Sequence, residues 1–401
     1  MLLSKYTKIK TRKYLVDQFS KIAKSYIDMG QIAGLEWEIR HYNKVLSKGI
    51  EGFSNIEKKT ILEPGQIYRI YSMTKPIVSV VAIRLIEANK LNLYSNIQDF
   101  IPSFKYLKIL RPNGELERLK RPINIADLLT HTSGLSYNFN MGCSVAQFYQ
   151  EKNILNDPTI SLEEMVEQIA TLPLAFQPGE AWRYSVATDV IGRVLEIIEN
   201  KKLNDILDEQ ILSPLEMNDT AFAVSKNNIN KIMPMHGDTD ANKLISFQQA
   251  PLKIVDAEKS HPSLANVINL RGGTGLFSTI DDYQIFCNFL LSGKDKNGSR
   301  LVSKTMHDFM LTNRLSDHML PLRLGPIALS GYGWNLIGRV MTDKGLAMSL
   351  TENGEFGWSG AASTYFWVDR ENHLTGIIMT QYIGGYITIA DEFRATSYSL
   401  I

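Results

Sequence analysis

An α/β unit carrying a helical insertion is the architecture predicted by the order of patterns along the chain. Three observations predict it: strand patterns near residues 33–53, helical patterns between about 100 and 265, and strand patterns returning from about 330. At 401 residues the chain exceeds one minimal domain and suits two units, or one large core with an insertion.

The first 30 residues place Tyr14, Leu15, Phe19, Ile22 and Ile27 at the spacing of an amphipathic opening helix. Lys and Arg interrupt every apolar run there, so the continuous apolar segment of a secretory signal is missing and a cytoplasmic location is expected. AGLEWEIR and NKVLSKGIEGF read as two strands with His41–Asn43 as the turn, and IYRIYS at 67–72 as a further extended piece. From Ile77 to Leu91, IVSVVAIRLIEANKL is apolar on nearly every face except at Arg84 and Glu87, the pattern of a helix buried all round. The same region holds the most apolar stretch, Pro76 to Ile83, far below the ~20 residues needed to span a bilayer.

The middle third reads as the helices SLEEMVEQIATL, VIGRVLEIIEN and LNDILDEQIL, separated by Pro- and Asn-rich loops. Strands return in YGWNLIGRVM, STYFWVD and HLTGIIMTQ, and ADEFRATSYSL closes the chain as a helix. The expected division is a discontinuous α/β domain of residues 1–100 and 265–401, and a mainly helical domain of residues 101–264.

Composition narrows the class of function. Hydrophobic residues at 44% and charged residues at 21% are ordinary for a folded soluble chain. Lys plus Arg number 43 against 42 Asp plus Glu, so the net charge of +1 offers no footprint for nucleic acid or an acidic membrane surface. Cys143 and Cys287 cannot form a disulfide framework. The seven histidines are scattered without metal-ligand spacing, and no metal or other cofactor is expected.

Among nucleophile motifs, no G-x-S-x-G elbow exists; GWSGA at 357–361 has Ala in the last position and leads into a strand pattern. RGGTG at 271–275 fits neither phosphate-binding pattern and reads as a tight turn. Ser72-Met73-Thr74-Lys75 is the single S-x-x-K of the chain, at the mouth of the buried helix. Residues i and i+3 share a helix face, so the Lys75 amine can reach the Ser72 hydroxyl, taking the helix to start near Ser72. A serine hydroxyl needs a base to become nucleophilic, and lysine serves only if burial or another cation lowers its pKa from the usual ~10.4. Read alone, the motif is better met by a capping serine and a solvated lysine.

Other segments shift that balance by their order. YSMTKPIVSVVAIRLIE, then HTSGL at 131–135, GEAWRYSVATDV around Tyr184-Ser185-Val186, and FGWSGAASTYFWVD together resemble the serine β-lactamase-like superfamily of penicillin-recognising enzymes. The match is nearest to family VIII carboxylesterases, which are similar to class C β-lactamases, and it runs from about residue 30 to residue 383. The resemblance implies a β-lactamase/transpeptidase-like fold: an antiparallel sheet flanked by N- and C-terminal helices, with a helical insertion domain and the active site between the two.

It also implies roles. Ser72 matches the acylated nucleophile, Lys75 its general base or electrostatic helper, and Tyr184 the tyrosine that exchanges a proton with nucleophile and leaving group. The backbone N–H groups of Ser72 and Ala361 would form the oxyanion hole. Trp358-Ser359-Gly360 falls where lactamases carry Lys-Thr-Gly and family VIII esterases a Trp-x-Gly variant, which assigns Trp358 and Gly360 to substrate binding. Tyr137 lies where these esterases place a second active-site tyrosine. His131 is implied to be structural; Asp189, on its own reading, orders its helix and loop rather than touching substrate.

Two departures from the lactamase pattern point to uncharged esters. Val186 stands where class C β-lactamases have Asn, and Trp358 where they have the lysine that attracts a substrate carboxylate. The implied activity is therefore a serine carboxylesterase for short- to medium-chain, small-molecule esters. A β-lactamase, a D-alanyl-D-alanine peptidase and an acyltransferase share the same chemistry, and a non-catalytic binding or assembly protein is the alternative of a different class.

Overall fold

The computed structural model describes residues 17–140, 142–240, 243–256 and 267–401. Tyr14 and Leu15 of the expected opening helix, and the expected domain boundary at 264/265, lie outside the described residues.

Both ends of the chain build one eight-stranded antiparallel sheet. Helix α1 (residues 17–28) leads into β1 (Gly34–His41), β2 (Lys44–Asn55) and β3 (Thr60–Ile61). Tyr42 and Asn43, both at positive φ, turn β1 into β2, the backbone that a two-residue hairpin loop demands. The remaining strands are β4 (Tyr332–Trp334), β5 (Arg339–Met341), β6 (Phe356–Ser359), β7 (Tyr365–Asp369) and β8 (Leu374–Met379). The spatial order is β4-β5-β6-β7-β8-β1-β2-β3, with β8 beside β1. YGWNLIGRVM is thus two strands rather than one. Asn335 Oδ1 accepts the N–H groups of Ile337 and Gly338 and closes a turn between β4 and β5.

Apolar layers cover both faces of the sheet, which explains why β8 reads as the unbroken run LTGIIM instead of an alternation. On one face Leu35, Trp37 and Ile378 pack with Phe19 and Ala23 of α1 and Phe393 of the terminal helix α5 (Ile389–Tyr398). On the other, Ile377 and Phe366 pack with Tyr283 and Phe286 of α4 (Ile280–Ser292), continuous with the main core. That core surrounds α2 (Thr74–Glu87), whose residues from Thr74 to Ile83 are all buried. The helix α3 (Ala187–Glu199) packs beside α2.

Two tryptophans fix the register of the sheet. Trp37 lies over Gly49, its partner across β1 and β2, and Trp367 over Gly376 across β7 and β8. A Cβ on Gly376 would stand 2.0 Å from Trp367 Cζ2, in a place with no room to move because Trp367 is fully buried. Gly376→Ala is expected to destabilise the fold by about 1–3 kcal/mol, the usual cost of overpacking, read as a lower urea midpoint. An unchanged midpoint would mean that the indole can be displaced freely.

Candidate active site

The loop before α2 presents Ser72. The chain leaves a short strand, Tyr68–Arg69, and makes a 3-10 turn at Tyr71–Met73, so α2 begins at Thr74, two residues later than the motif alone placed it. Tyr71 takes φ +43°, a region that a residue with a Cβ enters only when its surroundings hold it there. The Tyr283 hydroxyl donates to the Met73 carbonyl (2.9 Å), and Thr74 Oγ1 accepts the Leu276 N–H (3.1 Å). The turn is therefore held from the core side while Ser72 lines a cavity of about 420 Å³.

Lys75 lies one helical turn inward and is 1% exposed. Its Nζ reaches Ser72 Oγ (3.2 Å), the Tyr137 hydroxyl (2.9 Å) and the Gly273 carbonyl (2.8 Å). The rings of Tyr184 and Tyr137 stand 4.7 and 5.2 Å from it. Burial lowers its pKa to about 7, against the raising effect of Asp189, and Arg271 lowers it further. The neutral amine is therefore within reach near neutral pH. A neutral amine has one lone pair, which can accept the hydrogen of the Ser72 hydroxyl beside it.

Tyr184 enters from the turn before α3. The Asn140 amide holds its carbonyl (2.9 Å), and Trp358 Nε1 donates to its hydroxyl (2.8 Å). Burial raises the pKa of Tyr184, while hydrogen bonds with Ser72 and from Trp358 lower it. Tyr137 is pushed well above its usual value, by burial first and then by Asp189. Both phenols stay protonated at neutral pH, which leaves Lys75 as the proton acceptor of the set. His131 is buried, with Nδ1 3.2 Å from Ser185 Oγ. Burial and the nearby Lys75 charge hold its pKa well below the usual value, so it stays neutral.

The end of β6 closes the site. Trp358 packs edge-on against Trp334, with ring centres 4.6 Å apart. Gly360 approaches the Ser72 turn so closely that a Cβ would fall 2.4 Å from the Ile70 carbonyl oxygen, which requires glycine there. Ser72, Tyr137, Tyr184, Trp358, Gly360 and Ala361 all line the one cavity, and Lys75 touches Ser72 from behind it. The residues named from the sequence are thus gathered at one place.

Sequence reading passed over part of the site. RGGTG is a turn, but its Gly273 carbonyl is a partner of Lys75, and the Gly273 N–H donates to Asp189 Oδ1 (2.9 Å). Arg271 in turn stands 3.6 Å from Asp189 Oδ2. A Cβ at Gly273 would lie 2.7 Å from Asp189 Oδ2 and 3.0 Å from the Tyr137 hydroxyl, so this backbone can reach the amine only without a side chain. The paired glycines were the available signal. Among the described residues no group of His, Cys, Asp or Glu side chains converges as a metal site, and no helix is long and apolar enough to cross a membrane.

Known proteins of this shape and sequence form a consistent set. Residues 19–385 match the family model described as beta-lactamase. Protein Rv1367c of Mycobacterium tuberculosis is 31% identical over 363 residues, covering 88% of this chain and 87% of its own. Esterase EstB of Burkholderia gladioli is 25% identical over 368 residues, covering 88% of each chain. Among solved structures, EstCE1, described as a hydrolase with promiscuous acyltransferase activity, superposes with a TM-score of 0.81. It is 22% identical, and the match covers 97% of this chain and 99% of that one.

Proposed function

The chain belongs to the beta-lactamase family and is a serine hydrolase, and from that premise we propose that it is a carboxylesterase for uncharged, short- to medium-chain esters. The observation that carries the reading is the buried Lys75 amine, 3.2 Å from Ser72 Oγ with its pKa lowered to about 7. In the proposed reaction Lys75 takes the Ser72 proton as Oγ attacks the ester carbonyl. The Ser72 and Ala361 N–H groups stabilise the charge that develops on the carbonyl oxygen. As the intermediate collapses, the C–O bond to the alcohol breaks and the Tyr184 hydroxyl gives the departing oxygen its proton. Lys75 then returns a proton to Tyr184. Water, activated by the same pair, releases the acid and regenerates Ser72.

The α/β domain of 1–100 and 265–401 and the helical domain of 101–264 would supply the two walls of the cleft, with Ser72 and Trp358 on one and Tyr137 and Tyr184 on the other. Specificity for an ester follows from Trp358. Its indole nitrogen is spent on Tyr184, and its ring packs on Trp334, so nothing at that position attracts a carboxylate. A chromogenic cephalosporin, which carries a carboxylate, is expected to turn over at least about a hundredfold more slowly than p-nitrophenyl butyrate in kcat/KM, a difference of about 2.7 kcal/mol. A cephalosporin that matches or beats the ester would make β-lactam opening the better reading.

A further inference from the structure

The cavity extends from Ser72 to a second polar group on the far side of the sheet. Arg339 of β5, Tyr365 of β7 and Arg394 of α5 line it there. The guanidiniums are nearly sealed from solvent, at 3% and 4% exposure. Each has a carboxylate of its own. Arg339 Nη2 stands 3.1 Å from Glu355 Oε1 and Arg394 Nη2 2.8 Å from Asp391 Oδ1, with Arg394 Nη1 3.9 Å from Glu355 Oε2. Two positive and two negative charges cancel, so the group presents no net charge to a ligand.

Arg394 Nε has no hydrogen-bond partner among the described residues but is sealed off, which leaves the Tyr365 hydroxyl as the donor to weigh. Its oxygen accepts from Arg394 Nη1 (2.8 Å) and from Arg339 Nη2. Two cationic donors on one phenol oxygen polarise its O–H bond and make it a stronger donor. Burial raises the pKa of this hydroxyl, against the lowering effect of the two arginines, so the proton is retained at neutral pH. Among the described residues that proton meets no acceptor. Tyr365 is the cross-strand partner of Ser359, so its side chain lies on the face of the sheet opposite Trp358, with Trp367 and Phe393, while both faces contribute to the one cavity. Leu324, Ile327 and Leu329 of a short hairpin, with Ile387 and Ile389, give the wall an apolar part beside Tyr332, Tyr386 and Asp391. A polarised donor flanked by apolar side chains is one way a binding cavity selects an oxygen on an otherwise hydrocarbon ligand.

We propose that the Tyr365 hydroxyl donates a hydrogen bond to an uncharged oxygen, a ketone, ester or hydroxyl, on the far arm of the substrate, so that the preferred esters are apolar but carry a second oxygen function. The proposal rests on the esterase reading. Its test compares methyl octanoate with methyl oxooctanoates bearing the ketone at carbon 5, 6 or 7, with the same set built as acetates of the corresponding alcohols, and with monomethyl octanedioate as the charged analogue. At one ketone position kcat/KM is expected to exceed that of the hydrocarbon by about tenfold, the worth of one good hydrogen bond. Tyr365→Phe is expected to bring that ratio close to one, and the charged analogue should gain nothing over the hydrocarbon.

Three outcomes overturn the proposal while the esterase reading stands: equal turnover of all ketones and the hydrocarbon, a ketone preference that survives Tyr365→Phe, or a preference for the carboxylate. Turnover of none of these esters would overturn the esterase reading itself. The subsite is then read without chemistry, by calorimetric binding of the best-matched ketone and hydrocarbon pair to Ser72→Ala and to Ser72→Ala/Tyr365→Phe. Tighter ketone binding that disappears with the hydroxyl supports the site; equal binding of the pair overturns it.

Discussion

Ser72→Ala is expected to lower ester turnover by roughly 10⁴-fold or more, because the nucleophile, base and proton donor act as one unit and the loss of any one member removes most of the effect. The structure predicts that the fold survives this change. Ser72 is 9% exposed at the cavity wall, and deleting Oγ leaves Lys75 with the Tyr137 hydroxyl and the Gly273 carbonyl as partners. The turn that carries Ser72 is held by Tyr283 and Thr74, neither of which touches Oγ. The measurement is kcat/KM for p-nitrophenyl butyrate, alongside intact mass after a fluorophosphonate probe and the unfolding temperature of both proteins. Wild type should gain one adduct and the variant none, at similar unfolding temperatures. Retention of most turnover by a well-folded Ser72→Ala would place the nucleophile elsewhere. A wild-type protein that gains no adduct and turns over no ester would return the chain to the binding-protein reading.

What could be read from the sequence divides along physical lines. Signals that are local in the chain were legible. The all-apolar α2, the β1–β2 pair and the run LTGIIM of β8 each announce their environment, because burial on every face leaves no polar position. The Ser72–Lys75 proximity was legible for the same reason, the two being three residues apart, but their catalytic reading needed the order of the other segments. Tyr184 and Trp358 needed the resemblance, since nothing in either segment says that the Trp358 indole will donate to a hydroxyl 174 residues away. Gly273 was misjudged in importance because a backbone carbonyl carries no signature of its own. The Arg339–Tyr365–Arg394 group was invisible, as it joins three elements through side chains whose spacing in sequence obeys no period.

The pH dependence of turnover is the second large effect, and its sign follows from burial. Desolvation disfavours the charged amine and brings Lys75 from 10.5 to about 7, so below that value the proton occupies the lone pair that must accept the Ser72 hydrogen. From pH 7 down to pH 5, kcat/KM is expected to fall by about tenfold per unit, and above pH 8 to level off. Tyr184 and Tyr137 are shifted upward, away from this range, so neither produces that limb. Lys75→Arg should lose at least about a thousandfold at every pH, because a guanidinium does not release its proton in the accessible range.

A second readout separates a base from a merely structural lysine. A folded-state pKa below the unfolded one means that the unfolded chain binds more protons between about 7 and 10.5, so this group favours folding less and less as pH falls through that window. Lys75→Met carries no such penalty, and its unfolding temperature should gain on that of wild type as pH is lowered from 10 to 7. A difference that stays constant across the window, together with a flat activity profile from pH 5 to 9, would show that Lys75 remains charged beside Ser72. The proton of the serine would then have to leave by another route, with Lys75 acting only through its positive charge.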